Sequence, residues 1–290
     1  MNRVLITGAG GQLGRELAAR LGPEQLAVGR QELDIVDGLA VKAFFKAHHP
    51  VAVVNCAAYT AVDRAESEPE DAFLVNEQGA VNLAMAAESL DIPLIHISTD
   101  FVFAGRKSSP YVESDRPAPL SVYGRSKLAG ERGVLAACPR SLVIRTGWLY
   151  AVHGRNFVNT VLYYARERGQ LRVVADQVGS PTYTGDLAAV IAKILAARGL
   201  DGNKRMATSR IFHYANEGVA TWYDFACAII EISNLPCIVE PVSTQEYPTV
   251  ARRPPYSVLN KSKIKDTLGL VIPGWRSSLE LCMASRTSMI

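Results

Sequence analysis

The first 150 residues alternate short, continuous apolar runs with longer amphipathic segments, and this alternation restricts the fold more than any other feature. The apolar runs have the length and composition of buried strands, whereas the amphipathic segments have the apolar spacing of helices. Strands that alternate with helices form a parallel sheet that is covered on both faces. We therefore predict an α/β protein with a Rossmann-like, doubly wound parallel sheet.

The predicted strands of this region are short and rich in valine, leucine and isoleucine. They are Arg3–Thr7, Gln25–Gly29, Val51–Ala58, Ile92–Ser98 and Ser141–Thr146. Helices are expected between them over Gln12–Leu21, over Gly38–His48, from a capping box at Ser67–Glu70 to about Ser89, and around Leu120–Glu131. The order strand, helix, strand is thus kept through residue 150.

The alternation becomes irregular after residue 150, which predicts a second, smaller lobe. Helices are expected over Asn156–Arg168, Thr184–Arg198 and Trp222–Ile232, strands over Leu171–Val174 and Ile211–Ala215, and proline-rich loops at the end. We expect residues 1–150, completed by segments near 184–215, to form the first domain. Residues 151–183 and 216–290 are expected to form the C-terminal lobe.

Composition excludes several classes of protein. The net charge is only +3 with both signs mixed along the chain, so neither nucleic acid nor a membrane surface is an expected partner. The five cysteines are odd in number and contain no Cys-x-x-Cys, which favours free thiols in a reducing compartment. No signal peptide and no apolar run of membrane-spanning length are recognised, so a cytoplasmic location is expected.

A glycine-rich turn, Thr7–Gly14, lies between the first predicted strand and the first predicted helix. Gly8, Gly11 and Gly14 are spaced three apart, and Gly8 and Gly10 are one apart. Glycines in this position let backbone N–H groups approach a pyrophosphate at the positive end of a helix, so the turn predicts dinucleotide binding. After the second strand the chain has Arg30 in place of an acidic residue, which favours the 2′-phosphate of NADP over NAD.

A tyrosine and a lysine, Tyr123 and Lys127, are four positions apart in the predicted helix after Ser98. Side chains with this spacing lie on one face of a helix, where the ammonium is expected to lower the pKa of the phenol by Coulomb attraction. Thr99 follows the preceding strand at its carboxyl end, where open α/β sheets bind ligands. The three side chains form a candidate site for proton transfer. The tyrosine–lysine spacing by itself is weak evidence for a catalytic site, so the surrounding motifs decide whether it marks one.

These motifs together resemble the extended short-chain dehydrogenase/reductases, most of which act on nucleotide sugars. A narrower resemblance, to the dTDP-4-dehydrorhamnose reductase family, runs nearly from end to end. It rests on the segments Asn55–Glu66, Ser98–Phe103, Val122–Glu131, Arg145–Tyr150 and Arg252–Ser257.

The resemblance implies reduction of dTDP-4-dehydro-L-rhamnose to dTDP-L-rhamnose by NADPH, with NADH as the alternative cofactor. Tyr123 would protonate the C4 oxygen, Lys127 would hold the nicotinamide ribose, and Thr99 would hydrogen-bond the keto oxygen. The implied cofactor-binding residues are Gly8, Gly10, Gly11, Gln12, Leu13, Gly14, Arg30, Asp34, Ile35, Ala57, Ala58, Tyr59, Asn76, Tyr123 and Lys127. The implied substrate-binding residues are Val62, Ser98, Thr99, Asp100, Phe101, Tyr123, Trp148 and Arg253. The C-terminal lobe, which contributes Arg253, is expected to be the substrate-binding lobe.

The sequence departs from the family pattern at two places. Phe101 stands where the family often has tyrosine, so one contact with a sugar hydroxyl is expected to be absent. Some members dimerise through a magnesium site of glutamates; Glu16 matches one of them, but Gly185 occupies the counterpart position and residues 285–290 contain no carboxylate side chain. No metal is therefore expected, and the chain is expected to be a monomer or a homodimer.

The same residues also bear on three other functions. A 4,6-dehydratase needs an acid and a base after the threonine, and Asp100 followed by Phe101 disfavours it. A nucleotide-sugar 4-epimerase uses the same tyrosine and lysine and stays open, as does a non-catalytic role like that of the regulatory β subunit of methionine adenosyltransferase. His96 and Trp222 are interpreted as core residues, and the pair His48 and His49 as a solvated helix end.

Overall fold

A six-stranded parallel sheet forms the centre of the molecule in the computed structural model, which describes residues 3–196 and 210–287. Its strands are β1 (Val4–Thr7), β2 (Leu26–Val28), β3 (Ala52–Asn55), β4 (Leu94–Thr99), β5 (Ser141–Thr146) and β10 (Ile211–His213). Their order across the sheet is β10-β5-β4-β3-β1-β2, so the order reverses between β1 and β3. Every pairing within this sheet is parallel, which confirms the predicted fold class.

Helices cover both faces of the sheet because successive strand residues point to opposite sides. Ile6 on β1 packs with α1 (Gln12–Leu21) and α7 (Thr184–Ala196). Its neighbour Leu5 packs on the other face, with α2 (Gly38–His48), α4 (Ala80–Ser89) and α5 (Val122–Ala137). The last two residues of the predicted helix Thr184–Arg198 lie outside the described residues.

The helical run before α4 differs from the predicted one. Helix α3 (Pro69–Phe73) begins without a side-chain cap, and the Ser67 hydroxyl donates to the Arg64 carbonyl oxygen, so the predicted capping box is wrong. A π-helical turn, Leu74–Gly79, then joins α3 to α4. Turns of this type occur often at functional sites, and this one contains Asn76.

The C-terminal region contains more regular structure than the sequence predicts. Short strands β6 (Leu149–Tyr150), β7 (Gln170–Val174), β8 (Val178–Gly179), β9 (Thr182–Tyr183), β11 (Ala220–Thr221) and β12 (Ile238–Val242) form three two-stranded sheets. Helices α6 (Phe157–Arg168) and α8 (Trp222–Ser233) match expectation. In place of the predicted loops, the chain forms β12, α9 (Ser262–Leu268) and α10 (Trp275–Thr287).

A separate core holds these C-terminal elements together. It is built around the buried rings of Tyr150 and Phe225, whose centroids lie 5.2 Å apart, and it includes Leu279 and Cys282 of α10. Within the described ranges, none of the helices has the length and apolar character needed to cross a bilayer.

Candidate active site

The glycine-rich turn is packed so tightly that side chains are excluded at two of its positions. Gly8 has φ +68°, and a Cβ there would lie 2.6 Å from the Ala57 nitrogen. A Cβ at Gly14 would lie 2.3 Å from the Gly8 carbonyl oxygen. Because α1 begins after Gly11 without a side-chain cap, its first N–H groups are available to an anion. The turn therefore fits the pyrophosphate of a dinucleotide.

A cleft of about 560 Å³ extends from this turn across the carboxyl ends of the strands, and we call it the glycine-loop cleft. It is lined by nearly all the predicted cofactor-binding residues, namely Gly8, Gly10, Gly11, Gln12, Leu13, Gly14, Arg30, Asp34, Ile35, Ala57, Ala58, Tyr59, Tyr123 and Lys127. Arg30 is exposed at its rim and pairs with Asp34 at 3.2 Å. Residues scattered over the first 127 positions thus come together in one cleft.

Asn76 is the exception among the predicted cofactor-binding residues, because it is buried behind the cleft. Its side-chain oxygen accepts from the Tyr59 N–H at 2.9 Å, and its amide donates to the Tyr59 carbonyl oxygen at 3.1 Å and to the Ser126 hydroxyl at 2.9 Å. Asn76 therefore fixes the backbone of a lining residue and connects it to helix α5.

Helix α5 places Tyr123 and Lys127 beside the sheet. The Ser121 hydroxyl caps its first turn by accepting from the Gly124 N–H at 3.1 Å. A Cβ at Gly124 would lie 2.4 Å from the Phe101 carbonyl oxygen, and one at Gly130 would lie 2.0 Å from the Asn76 carbonyl oxygen. These glycines let the helix lie directly on neighbouring backbone, so the position of its reactive face is closely determined.

The Tyr123 side chain is partly buried, and desolvation of its phenol raises the pKa to about 12. A hydrogen bond with the Thr99 side chain opposes this shift, and the nearby Asp100 carboxylate adds to it. The net direction is opposite to the lowering expected from the sequence, because loss of solvation outweighs the stabilising contacts of the phenolate. At neutral pH this tyrosine carries its proton.

Lys127 is buried, and its ammonium donates to the Ile97 carbonyl oxygen at 2.7 Å. Burial lowers its pKa to about 8, and the negative charge of Glu131 opposes that shift. Glu131 forms a buried, two-pronged ion pair with Arg145, with nitrogen–oxygen distances of 2.9 and 2.7 Å. The Ser98 hydroxyl also donates to Glu131, at 2.5 Å. Ser98, predicted to bind substrate, instead lies on the glycine-loop cleft with its hydroxyl engaged.

Thr99 and Asp100 lie at the end of β4, and both are buried. The Thr99 hydroxyl donates to the Asp100 carboxylate at 3.1 Å and accepts from the Phe101 N–H at 3.1 Å. Burial raises the pKa of Asp100 to about 6, although hydrogen bonds from Ser257, Thr99 and the backbone oppose the shift. Both side chains lie close enough to the Tyr123 phenol to influence its pKa.

A second cavity of about 840 Å³ opens in the C-terminal region, and we call it the lobe cavity. Among the predicted substrate-binding residues, Phe101, Trp148 and Arg253 line it. The ring of Phe101 meets the ring of Tyr123 edge-on, with 5.8 Å between centroids. Since Tyr123 lines the glycine-loop cleft, the two cavities meet at this aromatic pair.

Arg253 is held by an acidic partner at the wall of the lobe cavity. Its two terminal nitrogens donate to the two carboxylate oxygens of Asp63 at 3.0 and 2.7 Å. The arginine side chain remains 22% exposed. Val62, another predicted substrate-binding residue, precedes Asp63, is partly buried and is outside the set that lines either cavity. The geometry therefore connects a loop after β3 with the lobe through one ion pair.

Several residues of the lobe cavity were missed by the sequence reasoning. One face of helix α6 lines the cavity with Phe157, Thr160, Val161, Tyr164 and Arg168, a spacing that follows the helical repeat. This periodicity was a signal that could have marked the face. In the glycine-loop cleft the missed residues include Gly154 and Arg155.

The residues interpreted as core or as a solvated helix end agree with those interpretations in part. His96 is buried as expected, and its Nδ1 lies 3.0 Å from the Asn55 amide nitrogen. Trp222 is partly buried and packs against the C-terminal core, as interpreted. It also lines the lobe cavity and stacks on Trp148, which the interpretation did not include. His48 is partly buried against Phe44, with 4.2 Å between ring centroids, whereas His49 is exposed.

The parallel sheet, the glycine turn at the start of α1 and the Tyr-x-x-x-Lys pair beside the cleft define a short-chain dehydrogenase/reductase with a Rossmann fold. Residues 1–288 match the family profile described as RmlD substrate binding domain. The chain therefore belongs to the RmlD family of dTDP-4-dehydrorhamnose reductases.

Similar proteins agree with this assignment along nearly the whole chain. A dTDP-4-dehydrorhamnose reductase of Aggregatibacter actinomycetemcomitans is 42% identical over 97% of this chain and 98% of its own length. A spore coat polysaccharide biosynthesis protein of Bacillus subtilis is 40% identical over 99% of both chains. The crystal structure of dTDP-4-dehydrorhamnose reductase from Bacillus anthracis in complex with NADP superposes with a TM-score of 0.92, at 37% identity, over 98% of this chain and 100% of its own.

Proposed function

We propose that this chain uses NADPH to reduce the 4-keto group of a nucleotide-linked 6-deoxysugar, converting dTDP-4-dehydro-L-rhamnose into dTDP-L-rhamnose. The observation that carries the proposal is the meeting of the two cavities at Tyr123 and Phe101, whose ring centroids are 5.8 Å apart. A nicotinamide in the glycine-loop cleft and a keto sugar in the lobe cavity would be adjacent to the same phenol. The names of the similar proteins support this substrate.

Tyr123 donates a proton to the C4 oxygen of the sugar in this proposal. A phenol whose pKa is raised to about 12 by burial is protonated at neutral pH, which is the form that a donor needs. Thr99, buried at the end of β4 beside the phenol, hydrogen-bonds the keto oxygen in this proposal. The bound cofactor supplies the hydride, and the residues of this chain supply the proton and the geometry.

Lys127 holds the nicotinamide ribose, and its charge favours the phenolate that forms when Tyr123 loses its proton. Arg30 at the rim of the cleft binds the 2′-phosphate of NADPH, with NADH as the alternative cofactor. The exposed position of the Arg30 side chain, 82% accessible, supports this role because the guanidinium can turn from Asp34 towards a phosphate. The NADP complex of the Bacillus anthracis protein supports the same cofactor.

The lobe cavity receives the nucleotide sugar. Trp148 borders the sugar, and Arg253 binds the diphosphate through charge-assisted hydrogen bonds. We further propose that the product serves rhamnose and cell-surface polysaccharide synthesis in the cytoplasm. The free state of the five cysteines Cys56, Cys138, Cys227, Cys237 and Cys282 supports a reducing compartment.

A direct assay tests this function. The purified protein is incubated with NADPH and a panel of nucleotide 4-keto-6-deoxysugars, and loss of NADPH absorbance is followed. We expect turnover with dTDP-4-dehydro-L-rhamnose and, for the Tyr123→Phe variant, a fall of about a hundredfold or more, since general acid catalysis contributes on that scale. Wild-type protein that binds NADPH but oxidises none with any sugar of the panel would refute the proposal and favour a non-catalytic role.

A further inference from the structure

Two tryptophans form a stacked pair in the wall of the lobe cavity. The indoles of Trp148 and Trp222 have ring centroids 3.5 Å apart and planes that differ by 1°. Trp222 also contacts Phe157, at 4.7 Å between centroids. All three residues line the lobe cavity, so the pair is part of a site surface.

The backbone of Trp148 has an unusual conformation. Its φ is +52°, in the left-handed region that bulky side chains rarely adopt, so surrounding contacts must hold it there. The preceding residue, Gly147, is equally confined, because a Cβ on it would lie 2.5 Å from the Asp100 carboxyl carbon. The conformation that directs the Trp148 ring into the lobe cavity is thus set immediately next to the Asp100 carboxyl group.

Gly179 supports the Trp148 ring directly. A Cβ built on Gly179 would lie 2.4, 2.6 and 2.7 Å from Cε2, Nε1 and Cζ2 of that indole. The indole therefore rests on bare backbone at this position, where any larger residue would displace it. Trp148 is in contact with both Gly179 and Trp222.

The same short sheet anchors both contacts. Strand β11 pairs with β8, which places Ala220 opposite Gly179 and Thr221 opposite Val178. Thr221 then begins α8 with a reciprocal capping box, accepting from the Asp224 N–H at 3.0 Å while the Asp224 carboxylate accepts from the Thr221 N–H at 2.9 Å. Trp222 is the next residue, so its ring is fixed relative to Gly179.

We propose that Trp222 is a positioning residue for the sugar: together with Gly179 it holds the Trp148 indole in one orientation as a preformed wall of the lobe cavity. This inference rests on the function proposed above. A rotamer fixed before binding removes the ordering entropy that a free indole would lose on contact with the sugar. The face-to-face contact also removes apolar area of both rings from water, and that burial opposes rotation of the indole. Loss of Trp222 should therefore weaken sugar binding without changing the glycine-loop cleft.

The central test compares Trp222→Ala and Trp222→Phe with the matched control Trp275→Phe, which alters another tryptophan of the C-terminal core. We expect KM for the nucleotide sugar to rise roughly two- to tenfold in Trp222→Ala, from the energy of an aromatic pair. Trp222→Phe, which keeps a ring, should restore most of the loss. The Kd for NADPH should stay at the wild-type value in all three variants.

A second variant, at Gly179, tests the other contact of the Trp148 indole. Gly179→Ala should displace Trp148 and raise KM for the sugar as Trp222→Ala does, whereas Gly274→Ala, where a Cβ meets nothing within 4 Å, should not. Gly179→Ala decides the matter if Trp222→Ala does not fold. A folded Trp222→Ala or Gly179→Ala enzyme with unchanged KM, or with NADPH binding weakened to the same extent, would overturn the proposal.

A spectroscopic measurement separates this proposal from the proposed function. Stacked indoles couple in the far-ultraviolet circular dichroism spectrum, so Trp148→Phe and Trp222→Phe should each lose the same band, and Trp275→Phe should keep it. If the wild-type protein shows no reductase activity but both variants lose the band, the reductase function is rejected and the stacking of Trp148 on Trp222 is supported. If the Trp222→Phe variant retains the band, the proposal that Trp222 holds the Trp148 indole is rejected, whether or not the protein has reductase activity.

Discussion

Arg253→Ala removes the only cation that we assign to the diphosphate of the substrate. The guanidinium lies in the wall of the lobe cavity, 22% exposed, and makes two hydrogen bonds to Asp63. The substitution therefore has two consequences: a charged donor is lost from the cavity, and the Asp63 carboxylate, 43% exposed, is left without its partner. Both make the site more negative towards an anionic ligand.

The size of the effect follows from the pairing. A hydrogen bond to a charged group contributes about 1.5 to 3 kcal/mol, which corresponds to roughly a 10- to 150-fold change in affinity. Asp63 already neutralises part of the Arg253 charge and the site is partly solvated, so we expect the lower end, a rise in KM of about tenfold. The Kd for NADPH should not change, because Arg253 does not line the glycine-loop cleft.

Initial rates at varied nucleotide-sugar concentration, together with NADPH binding by fluorescence, measure these two quantities. Arg252→Ala is the matched control, since its side chain is exposed and outside the set that lines the lobe cavity. Equal KM values for the Arg253→Ala and Arg252→Ala variants would refute the assignment, as would a parallel weakening of both ligands in Arg253→Ala.

Other substitutions test the remaining assignments. Because burial lowers the Lys127 pKa to about 8, NADPH binding should weaken as the pH rises through that value and the ammonium is lost. This pH dependence of the Kd should be absent in the Lys127→Ala variant. A wild-type Kd for NADPH that stays constant across this pH range would contradict the role of Lys127. Arg30→Ala should lower the ratio of NADPH affinity to NADH affinity, measured by titration with each cofactor. An unchanged ratio would mean that Arg30 is a solvated surface residue that does not bind the 2′-phosphate. Arg145→Met leaves the Glu131 carboxylate buried without its cation, so urea unfolding should show a loss of about 3 to 5 kcal/mol; a loss below about 1 kcal/mol would mean that solvent reaches the carboxylate.

Much of the parallel sheet and of the helices beside it could be predicted because their signals are local. Apolar runs gave the strands of the parallel sheet, and the glycine turn marked the start of α1. The four-residue spacing of Tyr123 and Lys127 placed both side chains on one face of α5. Each of these inferences needs only neighbouring residues and the handedness that parallel strands impose on their connections.

Features that depend on distant contacts could not be predicted in the same way. The stack of Trp148 on Trp222 joins residues from separate elements, and only the pairing of β8 with β11 brings their supports together. The direction of the Tyr123 pKa shift depends on its burial, which the Tyr-x-x-x-Lys spacing does not contain. The C-terminal helix α10 was missed because only isolated residues such as Leu279 mark its buried face.

Isotope transfer tests the central claim most directly. The protein is supplied with NADPH that carries deuterium at the transferable position and with dTDP-4-dehydro-L-rhamnose, and the sugar product is analysed by mass spectrometry and NMR. Reduction predicts one deuterium per product molecule, located at C4, and one NADPH oxidised for each sugar reduced. Isomerised sugar without deuterium and without net NADPH oxidation would contradict a reductase and identify an epimerase in its place.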